Sequence, residues 1–93
     1  MAKMKIYIVQ EYAIHNYEKR WNDTHAFVHR ENALAKLRDI KNQDMMPIVE
    51  EESLKITKDT ETEFLAGREG NFSKESVSVR IIETVIGDYS TTE

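Results

Sequence analysis

The chain has 93 residues, 40% of them hydrophobic and 32% charged, which is material for one small core and no second lobe. No apolar run approaches the roughly 20 residues that cross a bilayer as a helix, and the opening MAKMKIYIVQEY lacks the apolar centre of a signal peptide, so a cytoplasmic protein with no membrane partner is expected. The absence of cysteine excludes a disulfide framework, a thiolate metal site and a cysteine nucleophile, and the net charge of −4 argues against nucleic acid, whose readers carry basic patches. That charge is uneven: residues 1–46 hold eight Lys/Arg against six Asp/Glu, and residues 47–93 hold five against eleven. The later half should therefore present an acidic surface, for which a basic partner is the better match.

Met4 to Tyr12 alternates as a strand, with Ile6, Ile8 and Tyr12 on one side and Tyr7, Val9 and Glu11 on the other. Ala13 to Asn22 is polar and aromatic without period and reads as a long hairpin connection with a mobile tip. Asp23 to Val28 gives a second strand, simplest as the antiparallel neighbour of the first. From Arg30 the period changes: Ala33, Leu34, Leu37 and Ile40 make the stripe of an amphipathic helix. His29 is a weak cap for its start, while Asn42 and then Pro47 mark its end. Met45 to Glu52, with the acidic run Glu50, Glu51, Glu52, is expected to be solvated connector.

A third strand at Leu54 to Lys58 and a fourth at Thr62 to Ala66 flank a turn at Lys58 to Thr60. Gly67 to Phe72 supplies two glycines and an asparagine for a reversal into SVSVRIIETVI, Ser76 to Ile86, the longest β-type run. Its Val77, Val79, Ile81 and Val85 share one face and its β-branched content makes it the central strand, paired with the fourth. Residues 87–93 read as a frayed tail beyond an ordered core of about 4–86.

The fold class predicted is α+β: one two-layer domain over 1–93, a mainly antiparallel sheet of about five strands with one helix on one face, in the order β-β-α-β-β-β. The face away from the helix inherits Tyr7, Val9, Ile82 and Ile86 and is a candidate homodimer or protein interface.

Motifs of catalysis are missing. His25 and His29 lie on or after a strand, some 13 Å apart at about 3.3 Å per residue, too far to share a metal. Ser73, Ser76, Ser78 and Ser90 have no nucleophile elbow, and Gly67 with Gly70 is not a phosphate loop. Neither catalytic, cofactor nor metal residues are assigned, and a non-enzymatic protein is expected. The candidate interface consists of the aromatics Tyr7, Tyr12, Tyr17 and Trp21, with the acids Glu50, Glu51, Glu52, Glu61 and Glu63. Against this stands cross-strand packing of Tyr12 on Trp21.

KIYIVQEY at Lys5 to Tyr12, FVHRENALAKL at Phe27 to Leu37, and ITKDTETEFLAGREGNFSKESVSVRIIETVI at Ile56 to Ile86 resemble, in layout, small uncharacterised proteins of bacteriophages and of gut bacteria carrying mobile elements. The resemblance implies a context in which short acidic accessory proteins bind and block a host protein; it carries no catalytic residue or ligand. The first expectation is thus an accessory or inhibitor protein of phage or mobile-element type, and the second a small-molecule-binding or enzymatic domain with a pocket at the sheet edge. Nucleic-acid binding through Lys19, Arg20, Arg30 and Lys36 is the weakest.

Overall fold

The computed structural model describes residues 3–86; the expected tail at 87–93 lies outside the described residues. Strands β1 (Met4–His15) and β2 (Glu18–Phe27) are followed by helix α1 (Arg30–Asp39), a π-helical segment (Ile40–Met45) and helix α2 (Met46–Glu52), then by β3 (Lys55–Asp59), β4 (Glu63–Gly67) and β5 (Glu75–Ile86). The strands form one antiparallel sheet in the order β2-β1-β5-β4-β3, so the α+β architecture and the central place of the last strand are as the sequence pattern predicts. Among the described residues no helix is long and apolar enough to cross a membrane.

The helical arm lies on one face. Ala33, Leu37, Ile40, Met45 and Val49 from the arm close over Val9, Ala13, Phe64, Ala66, Val77 and Val79 from the sheet, all buried. The side chains on this covered face follow from the registers Val9↔Ile81, Glu11↔Val79 and Ala13↔Val77, since directly opposed residues share a face. Burying these side chains is the main favourable term, at about 1.5–3 kcal/mol for each large one.

Four local expectations are corrected. The long connection at Ala13 to Asn22 is instead strand on both sides of a two-residue turn, with Asn16 at φ 53 and Tyr17 at φ 69. Both positive values mark a type I′ turn, whose twist suits a hairpin; the sequence lacks the usual Asn-Gly because Tyr17 is held from outside. Its N–H donates to the Lys74 carbonyl at 3.0 Å, and its hydroxyl accepts from Asn71 Nδ2 at 3.0 Å.

The expected connector at Met45 to Glu52 is helix, carrying Glu50, Glu51 and Glu52 on α2 rather than on a loop. Pro47 sits in the first turn of α2, where its missing N–H costs nothing. The i→i+5 spacing of the preceding π segment brings Ile40 and Met45, five residues apart, both into the core, and widens the backbone where a proline ring would meet the carbonyl four residues back.

Tyr7 and Val9 do not lie on the open face. Val9 is fully buried under the helix and Tyr7 packs against the same core, while Ile6 and Ile8 face outward with Ile82 and Ile86. The expected Tyr12–Trp21 pair does not form either. Tyr12 opposes Asn22 on the open face, and Trp21 opposes Ala13 on the covered one.

Candidate functional site

Two buried carboxylates occupy the covered face, both supplied by strand positions whose register otherwise calls for apolar residues. Glu11 lies between Val9 and Ala13 in β1 and is 6% exposed. Trp21 Nε1 donates to its Oε1 at 2.9 Å, and His25 Nε2 lies 2.7 Å from its Oε2. Both partners come from β2, at positions on the same face, so the β1–β2 register is what aims them. An unpartnered buried carboxylate costs several kcal/mol, and these bonds offset that desolvation.

Beside this group opens a cleft of about 380 Å³ lined by Glu11, Trp21 and Asp23 from the hairpin and Gln43, Asp44 and Ile48 from the helical arm. Gln43 and Asp44 belong to the π segment, a local departure that often accompanies function. The lining has three carboxylates, an indole and an amide, but no lysine or arginine. It is thus a place of negative potential with an aromatic wall, situated between edge strand β2 and the arm.

The second buried carboxylate, Glu75 at the start of β5, is 4% exposed and sits at the other end of the sheet. Arg68 binds it through Nε at 2.7 Å and also through its terminal nitrogen, and reaches Glu52 of α2 at 3.4 Å. His15 Nδ1 is 2.9 Å from Glu75 Oε2. Burial pushes the Glu75 carboxyl up, but hydrogen bonds to Arg68 and His15 and the guanidinium charge outweigh it and hold the group below the ordinary carboxylate value. His15, Glu52 and Glu75 converge closely enough to be considered as metal ligands. Arg68 already supplies positive charge to both acids, however, and the cluster reads as a staple joining α2, β1, β5 and the β4–β5 loop.

A second hollow, of about 330 Å³, lies between α1 and the β3–β4 turn over Leu34 and Leu37. Lys41 lies 2.7 Å from Asp59 and Glu61 is approached by Arg30 from outside the hollow, which leaves the Arg38 guanidinium as the one charge of the lining without an ion-pair partner among the described residues.

The nine interface residues expected from sequence are scattered by the fold. Trp21 alone lines the acidic cleft. Tyr7 packs on the core; Tyr12 is on the open face near Arg80 and Ser78; Tyr17 is 63% exposed at the hairpin tip. Glu50 and Glu51 are exposed on α2, Glu52 is tied to Arg68, Glu61 approaches Arg30 at 3.4 Å, and Glu63 pairs with Lys58 at 2.8 Å. The fold adds Glu11, Asp23, Gln43 and Asp44 to the candidates, and gives His25, set aside above as a metal ligand, a carboxylate partner instead. One signal was present: Glu11 shares the alternating face of Val9, and a carboxylate in that phase has to be buried with partners.

No family model matches the chain, and neither a curated protein nor a solved structure is significantly similar to it.

Proposed function

We propose that this chain is a non-enzymatic protein-interaction domain, an accessory or inhibitor protein of the phage or mobile-element kind, whose cleft between β2 and the helical arm receives a basic side chain of a host protein. The observation that carries the reading is the lining of that cleft: Glu11, Asp23 and Asp44 around Trp21, with no cation among them. A lysine or arginine entering it would meet opposite charge and an indole ring, and a cation near such a ring gains about 0.5–1 kcal/mol at an exposed site. The chain's net charge of −4 favours the encounter with a basic partner and opposes approach of phosphate-rich nucleic acid.

Trp21 is the only tryptophan, so its fluorescence reports on the cleft directly. Titration with a lysine- and arginine-rich peptide should give a saturable change that weakens with salt. Asp23 and Asp44 are exposed, and Asp23→Asn and Asp44→Asn should each weaken binding by about threefold, the value of one partly screened ion pair, without loss of fold. An unchanged spectrum with the basic peptide, or an equal response to an acidic one, would overturn the reading.

A second reading rests on the Glu11–His25 contact of 2.7 Å, since a carboxylate that orients an imidazole is the arrangement of a general base. It makes the cleft a small-molecule or catalytic pocket at the sheet edge, which His25 reaches only through Glu11, since the imidazole is not part of the lining. The lining contains no serine, threonine, cysteine or lysine nucleophile, so water would have to attack. A free polyamine that binds as tightly as the peptide would favour this second reading over the first.

A further inference from the structure

Among the described residues the sheet has one unguarded edge. Edge strand β2 carries Glu18, Lys19, Arg20 and Asp23 and its pairing with β1 shifts register at Ala13/Ile14. Edge strand β3 carries Lys55, Lys58 and Asp59 and shifts register at Ile56/Lys58. Charges and bulges of this kind keep edges from pairing with foreign strands. Strand β5 behaves differently: its last β4 pair is Glu63↔Arg80, and it then continues to Ile86 with β1 on one side only. Beyond Arg80 this segment has no proline, no glycine and no bulge, and its single charge, Glu83, is already bound by Lys5 at 3.1 Å.

The direction of the free backbone groups follows from one hydrogen bond. The Ile81 N–H donates to the Thr62 carbonyl at 2.9 Å, so odd-numbered residues of β5 point their N–H and C=O away from β1. Glu83 and Val85 therefore aim theirs at the open edge, where no partner stands among the described residues. On the open face this edge is apolar, and on the other face Val85 stands beside the Lys5–Glu83 pair. Met4 and Val85 are 49% and 55% exposed, and Ile6, Ile82 and Ile86 are half-buried on the open face.

We infer that two copies of this chain join edge to edge through Ile82–Ile86, antiparallel about a two-fold axis at Thr84, making a continuous sheet across the dimer. A second copy is the occupant because the segment is complementary to itself. With Thr84 opposite its own equivalent, Glu83 faces Val85 rather than another Glu83, and the outward N–H and C=O groups of these two residues meet in hydrogen-bonded pairs. The same register sets Ile82 against Ile86 twice on the open face, extending the apolar strip that Ile6 and Ile8 begin. Lys5 neutralises the only acid of the segment, so the like net charge of the copies is not concentrated at the contact. The inference does not depend on the acidic cleft, which lies against β2.

The two-fold makes Thr84 a non-hydrogen-bonded pair with its equivalent, about 4.5 Å apart at Cα, within the range a disulfide spans. The chain has no cysteine, so Thr84→Cys gives a single thiol per copy. With oxidised glutathione, this variant should link into a covalent dimer, while Val85→Cys, which faces Glu83 of the other copy, should link far more slowly. Light scattering on the unmodified chain should give a mass about twice 10.9 kDa that falls on dilution. Val85→Pro removes one outward donor without touching the β1 ladder and should give a folded monomer by circular dichroism and light scattering. A monomer at every concentration tested, or a dimer in which Thr84→Cys links no faster than Val85→Cys, overturns the inference.

Discussion

Glu75 is a residue whose stability contribution depends on pH in a direction that can be worked out. Its folded-state value lies below the 4.5 of the unstructured group, so the unfolded chain binds more protons in the acid range. The stabilisation is complete above that ordinary value and is lost as pH falls through the lower folded one. Glu75→Gln should therefore flatten the acid limb of a stability–pH profile measured by urea melts, and an unchanged limb would mean that Glu75 is not the group being titrated. Removing the partner is the harsher change. Arg68→Met leaves a buried carboxylate with less compensation and should cost about 2 kcal/mol, discounted because the arginine is partly exposed. Adding Glu75→Leu to that variant should recover much of the loss, since two apolar groups strand no charge.

At the level of elements, the helical arm shows how packing overrides local signals. Asn42 and Pro47 both argue for an early stop, yet the arm continues to Glu52 because the π turn lets Ile40, Met45 and Val49 all reach the core. What ends the arm is Ser53, in the left-handed conformation at φ 54, whose following residue Leu54 donates its N–H to the Val49 carbonyl at 3.0 Å. A non-glycine residue there is strained by about 1 kcal/mol. Ser53→Gly relieves the strain while adding freedom to the unfolded chain, and the net expected is about 0.5 kcal/mol of stabilisation, a rise in Tm of about 2–4 °C by calorimetry. The reverse constraint holds at Gly67, where an added Cβ would come 2.6 Å from the Phe72 ring; this glycine is needed for space.

For the whole molecule, connectivity places the decisive contact between the first and last of the described strands. β5, the last of the described strands, lies at the centre of the sheet, paired with β1 from Met4↔Ile86 to His15↔Glu75 and with β4 on its other side. Without it the β1–β2 hairpin and the β3–β4 hairpin are separate two-stranded pieces, each too small to be stable alone. A chain ending before Glu75 should show no cooperative thermal transition by circular dichroism, whereas the intact chain should melt in one step. A cooperative melt of the shortened chain would show that the arm and the first hairpin form a core of their own.

Periodicity in the sequence was enough for the number of strands, the helix start, the antiparallel sheet and the central position of β5, because each of these depends on side-chain alternation along a few neighbouring residues, though not for the hairpin ends of β1 and β2. It was also enough to separate Ile82 and Ile86 from Val77 and Val79. It did not decide which face of β1 the helix covers: Tyr7, Val9 and Glu11 alternate with Ile6 and Ile8, both sets carry apolar residues, and only docking of the arm chose the first. The hairpin turn was hidden because Tyr17, which takes positive φ beside Asn16, is held by Asn71 and Lys74, more than fifty residues away. The acidic cleft was hidden for the same reason. Glu11, Trp21, Asp23, Gln43 and Asp44 come from a hairpin and a helical arm that have no fixed relation until the core between them is packed, so residue types were legible in the sequence and their convergence belonged to the tertiary structure.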